Sequence, residues 1–270
     1  MSTTDPRRAL VWLIEAGADE AILDAGLDRT RPAPMPPSPP QSAPPPRPQP
    51  EPARTAPARP LEPAPAASVP SLAALTGLSE LEAAVRAYDG CALKRTATNT
   101  VFADGNPSAP LMLIGEAPGA DEDRLGRPFV GASGQLLDRM LKAIGLNRAE
   151  SDASASAYIT NILFWRPPGN RPPTPAEIEQ CRPFLDRHIE LKAPKLILVL
   201  GGSAAKTLLG RSEGIQRLRG RWFDYRTSLT NMQIPVLATY HPAYLLRTPG
   251  QKRDAWRDLL SLKAKLSELL

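Results

Sequence analysis

The fold is decided by residues 111–135, which read LMLIGEAPGADEDRLGRPFVGASGQ. This stretch begins with an apolar run of strand length at 111–114 and passes through a glycine-containing turn into a group of carboxylates. A loop of small residues then leads into helical spacing over 134–144. A strand that ends in a polar turn and is followed by a helix is the unit from which α/β sheets are built.

Three more apolar runs of strand length alternate with helical stretches along the chain. The runs cover 158–163, 196–200 and 234–239, and the helical stretches between them cover 175–191 and 203–209. Strands that alternate with helices favour a parallel sheet that is covered on both faces. We therefore predict a three-layer α/β/α fold around a central, mainly parallel four-stranded sheet.

Composition divides the 270-residue chain into three parts. More than half of its 32 prolines fall in residues 31–70, which hold almost no large apolar side chain and cannot form a core. This part is predicted to be a disordered, semi-stiff linker, and the alternative is a ligand for an aromatic groove on another protein. Residues 1–30 are predicted to be a helical segment that docks either on its own domain or on a protein partner. Residues 71–270 are long enough for one folded domain.

Charge, cysteine count and hydropathy narrow the class of protein. The 33 basic and 28 acidic residues give a net charge of +5, which permits a polyanionic partner without requiring one. Two cysteines exclude a disulfide-rich scaffold and a zinc site built from cysteines alone, and they suit the reducing bacterial cytoplasm. No apolar run reaches the length of a membrane span, and acidic residues stand where a signal peptide would be basic. We expect a cytoplasmic protein that is neither membrane-spanning nor secreted.

Polar residues with reactive side chains follow or end all four predicted strands. They are Glu116, Asn161, Ser203 and His241. Because ligands of parallel α/β sheets bind beyond the carboxyl ends of the strands, we predict that these side chains share one site. His188 falls midway along a predicted helix and is interpreted as a structural histidine.

Three motifs, taken in order along the chain, resemble those of the family 4 uracil-DNA glycosylases. They are the block 115–138 together with YITN at 158–161, RPPGNRP at 166–172, and HPAYLLR at 241–247. The resemblance extends from about residue 88 to the C-terminus. It implies a base-excision repair enzyme that hydrolyses the N-glycosidic bond of uracil in DNA, releases free uracil and leaves an abasic site. We expect a monofunctional mechanism, because no lysine in the matched motifs is an obvious Schiff-base nucleophile.

By this resemblance, five residues would bind and cleave an extruded nucleotide. Phe129 would stack on the uracil, and Asn161 would hydrogen-bond its Watson–Crick edge with an amide that both donates and accepts. Glu116 and Glu122 would orient water and stabilise positive charge on the sugar, and His241 would donate to the departing base. For Glu122 the alternative is a solvated surface carboxylate.

Five further residues are predicted by the same resemblance to contact DNA. Gly131, Ser133 and Ser203 would hold phosphates through backbone donors and hydroxyls. Leu245 would fill the vacated base stack, and Arg247 would meet a phosphate. The alternative for this last segment is a helix start packed on the core.

The sequence departs from the family at its iron–sulfur cluster. The resemblance implies a structural [4Fe-4S] cluster on four cysteines, whereas the four positions here are Cys91, Lys94, Trp165 and Cys181. An ammonium and an indole cannot replace thiolates, so no cluster, metal or other cofactor is expected. Lys94 is predicted to find a carboxylate or phosphate, Trp165 to fill volume, and the two cysteines to stay neighbours as buried thiols. A cluster with substitute ligands, or one shared between chains, is the disfavoured alternative.

Two other functions are compatible with the sequence. One is a module that binds uracil or single-stranded DNA with little turnover; the lost cluster ligands favour it, and the intact Glu116, Asn161 and His241 oppose it. The other is a glycosylase with a broader range of damaged bases, because sequence does not display the shape of a pocket. The expected partner is uracil-containing DNA, and the expected oligomeric state is a monomer.

Overall fold

The computed structural model describes residues 72–270. The predicted helical segment at 1–30 and the predicted linker at 31–70 lie outside the described residues. Within the described range the chain forms an α/β fold, and none of its helices there is both long and apolar enough to cross a bilayer.

A six-stranded mixed sheet forms the centre of the described part. Its strands are β1 (Asp104–Gly105), β2 (Leu111–Gly115), β3 (Tyr158–Asn161), β4 (Leu196–Leu200), β5 (Trp222–Arg226) and β6 (Gln233–Thr239). They lie in the order β1-β3-β2-β4-β6-β5. The four inner strands are parallel and correspond to the four predicted ones, while β1 and β5 pair antiparallel at the two edges.

The sheet therefore has two edge strands, β1 and β5, that the predicted four-stranded sheet lacks. β1 has only two residues, which is too few to produce an apolar pattern. β5 reads WFDYR, and all but one of its side chains are exposed or half-buried, so it lacks the apolar run of an inner strand. Antiparallel edge strands are common on parallel α/β sheets and leave the predicted fold class unchanged.

Eight α-helices of the described range flank the sheet. They are α1 (Leu78–Ala87), α2 (Ala120–Leu125), α3 (Ala132–Ala143), α4 (Pro175–Lys192), α5 (Gly202–Leu209), α6 (Ile215–Leu218), α7 (Pro242–Arg247) and α8 (Lys252–Leu269). The predicted helices at 134–144, 175–191 and 203–209 correspond to α3, α4 and α5. The sequence does not predict α2, because its six residues, ADEDRL, carry no apolar periodicity.

Apolar side chains cover both faces of the sheet. On β2, Met112 and Ile114 pack in the layer that contains α1 and α4, whereas Leu111 and Leu113 pack in the layer that contains α3 and α8. Every residue of β2 and β4 is buried, as expected for parallel strands between two helical layers. The predicted three-layer α/β/α arrangement is confirmed. It leaves the carboxyl ends of the inner strands as the edge where polar side chains can gather.

Candidate active site

A cavity of about 450 Å³ opens at the carboxyl ends of the parallel strands. Glu116 directly follows β2, Asn161 ends β3, and His241 follows β6 by two positions. The predicted site residues that line the cavity are Glu116, Glu122, Phe129, Ser133, Asn161, His241 and Arg247. Their convergence follows from the parallel topology, which brings successive strand ends to the same edge.

Two residues that line the cavity, Asn161 and Phe129, are in close contact with Gly115 beneath them. A Cβ atom at Gly115 would lie 2.4 Å from Asn161 Oδ1 and 2.6 Å from Phe129 Cζ, so any other residue there would displace these two side chains. Gly115 and Asn161 are register partners on the adjacent strands β2 and β3. Asn161 Oδ1 is buried and has no hydrogen-bond partner among the described residues. Because a buried acceptor without a donor is costly, this oxygen is suited to a donor that a ligand supplies.

Phe129 forms a wall of the cavity in an uncommon backbone conformation. Its φ is +53°, in the left-handed region that bulky residues seldom adopt. Its ring centroid lies 5.5 Å from that of His241, and the two ring planes are 31° apart. A strained backbone that surrounding contacts hold in place is characteristic of functional sites, where it fixes the direction of a side chain.

His241 caps helix α7 and is fixed by its backbone surroundings. Its Nδ1 accepts the N–H of Ala243 at 3.1 Å. A Cβ atom at Gly201, whose φ is +95°, would lie 3.0 Å from His241 Cβ, so the turn after β4 approaches the histidine closely. Burial, with a smaller contribution from Arg247, lowers the pKa of His241 to about 4. The imidazole is therefore neutral near neutral pH, and because Nδ1 accepts a hydrogen bond, Nε2 carries the proton.

Glu116 is a half-buried carboxylate beside Ser203. Burial raises the pKa of Glu116, and a hydrogen bond with the Ser203 hydroxyl partly offsets this rise. Ser203 lies in the first turn of α5, beyond β4, so the carboxylate sits between the ends of two neighbouring strands. A carboxylate with a poorly solvated charge interacts strongly with positive charge that develops beside it.

Glu122 holds two loops together. Its carboxylate accepts backbone N–H groups from Gly119 at 3.1 Å, Val130 at 2.9 Å and Gly131 at 3.0 Å. The residue is buried, so the alternative of a solvated surface carboxylate is wrong. These contacts fasten the turn after β2 to the loop before α3, and they favour a positioning role for Glu122 over the predicted direct action on water.

Four of the residues predicted to contact DNA are polar or glycine, and they differ in whether they line the cavity. Ser133 and Arg247 line the cavity, where a ligand can reach them. The N–H of Gly131 is donated to Glu122, and Ser203 lies near the Glu116 carboxylate, outside the residues that line the cavity. The N–H of Gly131 is therefore engaged within the protein, and the phosphate contacts of Gly131 and Ser203 stay predictions.

Leu245 does not form the predicted wedge. Its side chain is 1% exposed and packs in the apolar layer that contains α3 and α8. The alternative, a helix start packed on the core, describes its position. The turn of α7 presents the next residue instead, since Leu246 is 40% exposed.

The motif at 166–172 forms a rim of the cavity to which the sequence assigns no role. Its residues Pro167, Asn170 and Arg171 line the cavity. Arg171 binds both carboxylate oxygens of Glu177 at the start of α4 and thereby lowers the pKa of that carboxyl to about 2. Arg166 Nε donates to Asn170 Oδ1 at 2.7 Å. The prolines of this motif signal a loop, but only the tertiary fold shows that the loop faces the site.

His188 lies in the core and has the contacts of a structural residue. It is fully buried on α4, its Nε2 is 2.9 Å from the Tyr158 hydroxyl, and its ring stacks on Phe102 with centroids 4.3 Å apart. Burial lowers its pKa to about 3, so the ring stays neutral.

The four positions where the resemblance places cluster ligands hold an incompatible donor set. Cys91 and Cys181 are both buried free thiols, and the interaction between them lowers the pKa of Cys91 and raises that of Cys181. Lys94 Nζ forms an ion pair with Asp89 at 2.6 Å, and Trp165 is 1% exposed in the core. Two thiols, an ion-paired ammonium and a packed indole do not fit a [4Fe-4S] cluster, which needs four ligands. Between residues 72 and 270, no group of three or more potential metal-ligating side chains is present.

Comparison with known proteins places the chain among DNA glycosylases. The family model described as the uracil DNA glycosylase superfamily matches residues 102–260. The type-4 uracil-DNA glycosylase of Pyrobaculum aerophilum is 37% identical over 186 residues, which are 67% of this chain and 91% of that protein. The type-4 enzyme of Archaeoglobus fulgidus is 41% identical over 168 residues, covering 61% and 80%. That of Thermotoga maritima is 37% identical over 164 residues, covering 60% and 80%.

Proposed function

This chain belongs to the uracil-DNA glycosylase superfamily, and we propose that it hydrolyses the N-glycosidic bond of uracil in DNA. The products are free uracil and an abasic site, so the reaction is the first step of base excision repair. One observation supports this proposal above the others: Asn161 lines the cavity, and its buried Oδ1 has no hydrogen-bond partner in the described part of the chain. An amide oxygen in that state needs a ligand that offers an N–H.

The amide of Asn161 suits uracil in particular. Uracil presents the N3–H donor between two carbonyl acceptors, so Oδ1 accepts from N3–H while Nδ2 donates to O4. Cytosine presents an acceptor at N3 and an amino group at C4, and both would be mismatched with the same amide. Phe129 provides an aromatic face for stacking, and the base reaches it only after extrusion from the helix.

The chemistry needs a donor at the base and negative charge at the sugar. When the C1′–N1 bond breaks, its electron pair leaves with uracil, and C1′ becomes oxocarbenium-like. The Nε2–H of His241 donates to uracil O2, where the negative charge gathers. Glu116 stabilises the positive charge on the sugar and accepts a proton from the water that attacks C1′. No lysine lines the cavity within the described part of the chain, which supports water as the nucleophile and a monofunctional reaction.

Arg247 and Ser133 are the proposed contacts to DNA phosphates near the lesion, since both lie at the cavity. We place the enzyme in the bacterial cytoplasm at the nucleoid, because its substrate is genomic DNA and both of its cysteines are free thiols. We propose that it acts as a monomer.

Incubation of the wild-type protein with an oligonucleotide that contains one uracil is expected to create an alkali-labile site at that uracil. Asn161→Ala is expected to lower kcat/KM by about 100-fold, because both hydrogen bonds to the base edge are lost. Strand cleavage after alkali treatment, resolved on a denaturing gel, measures both results. The control is the same oligonucleotide with thymine in place of uracil. Intact uracil-containing DNA after incubation with wild-type protein would overturn the proposed function.

We propose that the protein carries no iron–sulfur cluster, on the grounds of the incompatible donor set. Protein purified without oxygen is expected to lack the broad absorbance near about 400 nm that such clusters show, and to contain far less than about four irons per chain. Iron analysis and absorbance spectra test this, with uracil release measured on the same sample. A brown, active preparation with stoichiometric iron would contradict the proposal.

A further inference from the structure

Arg148 lies outside the residues that line the cavity, yet it binds the loop that carries Phe129. Its Nη1 donates to the carbonyl oxygen of Pro128 at 2.9 Å, and its Nη2 donates to that of Phe129 at 2.9 Å. The side chain is only 12% exposed. Two successive backbone carbonyls are therefore held by one buried guanidinium, whose donors lie in a single plane.

The same guanidinium is fixed from its other side by two carboxylates. Arg148 Nε donates to Asp138 Oδ1 at 2.7 Å, and Nη1 also lies 3.2 Å from Asp104 Oδ2. Asp138 belongs to helix α3, and Asp104 belongs to the edge strand β1. The buried charge is thus compensated, and its donors toward the Phe129 loop have a fixed direction.

The backbone of Phe129 requires such a support. Its φ of +53° is unfavourable for an aromatic residue, so the loop would relax without external contacts. The Phe129 carbonyl oxygen also sits against the first turn of α3, where a Cβ atom at Gly134 would lie 1.8 Å from it. Because a change in φ moves the ring and the carbonyl of Phe129 together, a return of φ to its usual negative range would turn the ring away from Gly115 and His241.

From these contacts we infer that Arg148 is a positioning residue, which holds the ring of Phe129 in the orientation that stacks on the extruded base. It acts through Phe129 and touches neither base nor sugar. The inference rests on the proposed function and adds a residue that none of the matched motifs contains. Loss of Arg148 leaves two carbonyls without their donors and lets the loop leave the left-handed conformation.

A double-mutant cycle tests whether Arg148 acts through Phe129. Arg148→Ala is expected to slow single-turnover uracil release by at least about tenfold, an effect typical of a misplaced substrate contact. Phe129→Ala is expected to slow it at least as much, and Phe129→Ala/Arg148→Ala to be no slower than Phe129→Ala. Arg148→Lys is expected to fall between wild type and Arg148→Ala, because an ammonium keeps the pairing with the aspartates but cannot bind both carbonyls in one plane.

Two further measurements separate positioning from simple stability. A fluorescent base analogue placed next to the uracil reports extrusion, and its signal change is expected to weaken in Arg148→Ala and Phe129→Ala alike. Thermal melting checks that each variant is folded, and the cycle is repeated with Arg148→Lys, which retains the charge between Asp104 and Asp138. Arg86→Ala, which removes an exposed arginine on α1 paired with Glu82, is the matched control and is expected to behave as wild type.

The rates of uracil release by wild type and Arg148→Ala distinguish failure of this inference from failure of the proposed function. If wild-type protein releases uracil and Arg148→Ala does so at the same rate, the inference is wrong and the proposed function stands. Additive losses in the double mutant would also overturn it, since they would show that Arg148 acts independently of Phe129. If wild-type protein releases no uracil, the proposed function fails, and this inference fails with it.

Discussion

Replacement of His241 by alanine is expected to slow uracil release by about 100-fold, the size of effect seen when one donor to a developing oxyanion is removed. The physical reason is the geometry of the ring. Nδ1 is occupied by the Ala243 N–H, so the single proton of the neutral imidazole is on Nε2 and available to uracil O2. Alanine removes this donor and leaves the anionic leaving group without its hydrogen bond. Single-turnover kinetics on uracil-containing DNA measure the loss.

The pH dependence of the wild-type rate provides a second readout of the same residue. Burial brings the pKa of His241 to about 4, whereas an ordinary histidine titrates at about 6.5. The imidazole is therefore neutral throughout the range around neutrality and makes no inflection there. Protonation of Nδ1, which would break the contact with Ala243, begins only in more acidic solution. An inflection near about pH 6.5 that disappears in His241→Ala would contradict this assignment.

Binding controls show whether His241→Ala damages the chemistry or the site. The variant is expected to bind DNA containing a non-hydrolysable uracil nucleotide about as tightly as wild type, because stacking on Phe129 and the amide of Asn161 remain. Its Tm is expected to fall by only a few degrees, since among the described residues the imidazole accepts one hydrogen bond, from the N–H of Ala243, and packs against the ring of Phe129. Loss of binding in step with loss of rate would argue against a role in stabilising the leaving base.

The inner part of the fold was predictable because its signals are local. β2 and β4 are continuous apolar runs, and such runs ending in a polar residue indicate buried parallel strands whose carboxyl ends form a ligand edge. This rule alone predicts that Glu116, Asn161 and His241 lie together at one edge of the sheet. β5 is not predicted from the sequence, because an edge strand with an exposed face lacks a continuous apolar run.

The roles of Glu122, Leu245 and Arg148 could not be predicted from the sequence, because they depend on contacts between distant segments. Glu122 reads as one carboxylate in an acidic group, and only the fold shows it accepting backbone N–H groups from two loops. The sequence does not distinguish the adjacent leucines Leu245 and Leu246, but the orientation of α7 buries the first and exposes the second. Arg148 carries no local signal, because the two carbonyls that it binds lie 19 and 20 positions earlier in the chain.

Glu116→Gln is expected to slow uracil release by about 100-fold, at the lower end for loss of a positioned general base. Glutamine has nearly the same shape but no charge, so it neither stabilises positive charge at C1′ nor accepts a proton from water. Binding of DNA with a non-hydrolysable uracil nucleotide is expected to persist, because the base contacts are made by Asn161 and Phe129. Equal single-turnover rates for wild type and Glu116→Gln would exclude the carboxylate from the reaction.

The acid limb of the pH–rate profile identifies the carboxylate independently. The reaction needs Glu116 ionised, and burial raises its pKa, so the rate is expected to fall with decreasing pH from a higher pH than an ordinary glutamate would give. The Ser203 hydroxyl opposes that rise through its hydrogen bond. Ser203→Ala is therefore expected to move the acid limb to still higher pH while leaving the rate at the plateau close to wild type. Glu116→Gln is expected to remove the limb altogether. An acid limb that keeps its position in Ser203→Ala, or survives in Glu116→Gln, would assign it to another group, because no other hydroxyl hydrogen bond lowers the pKa of this carboxylate within the described residues.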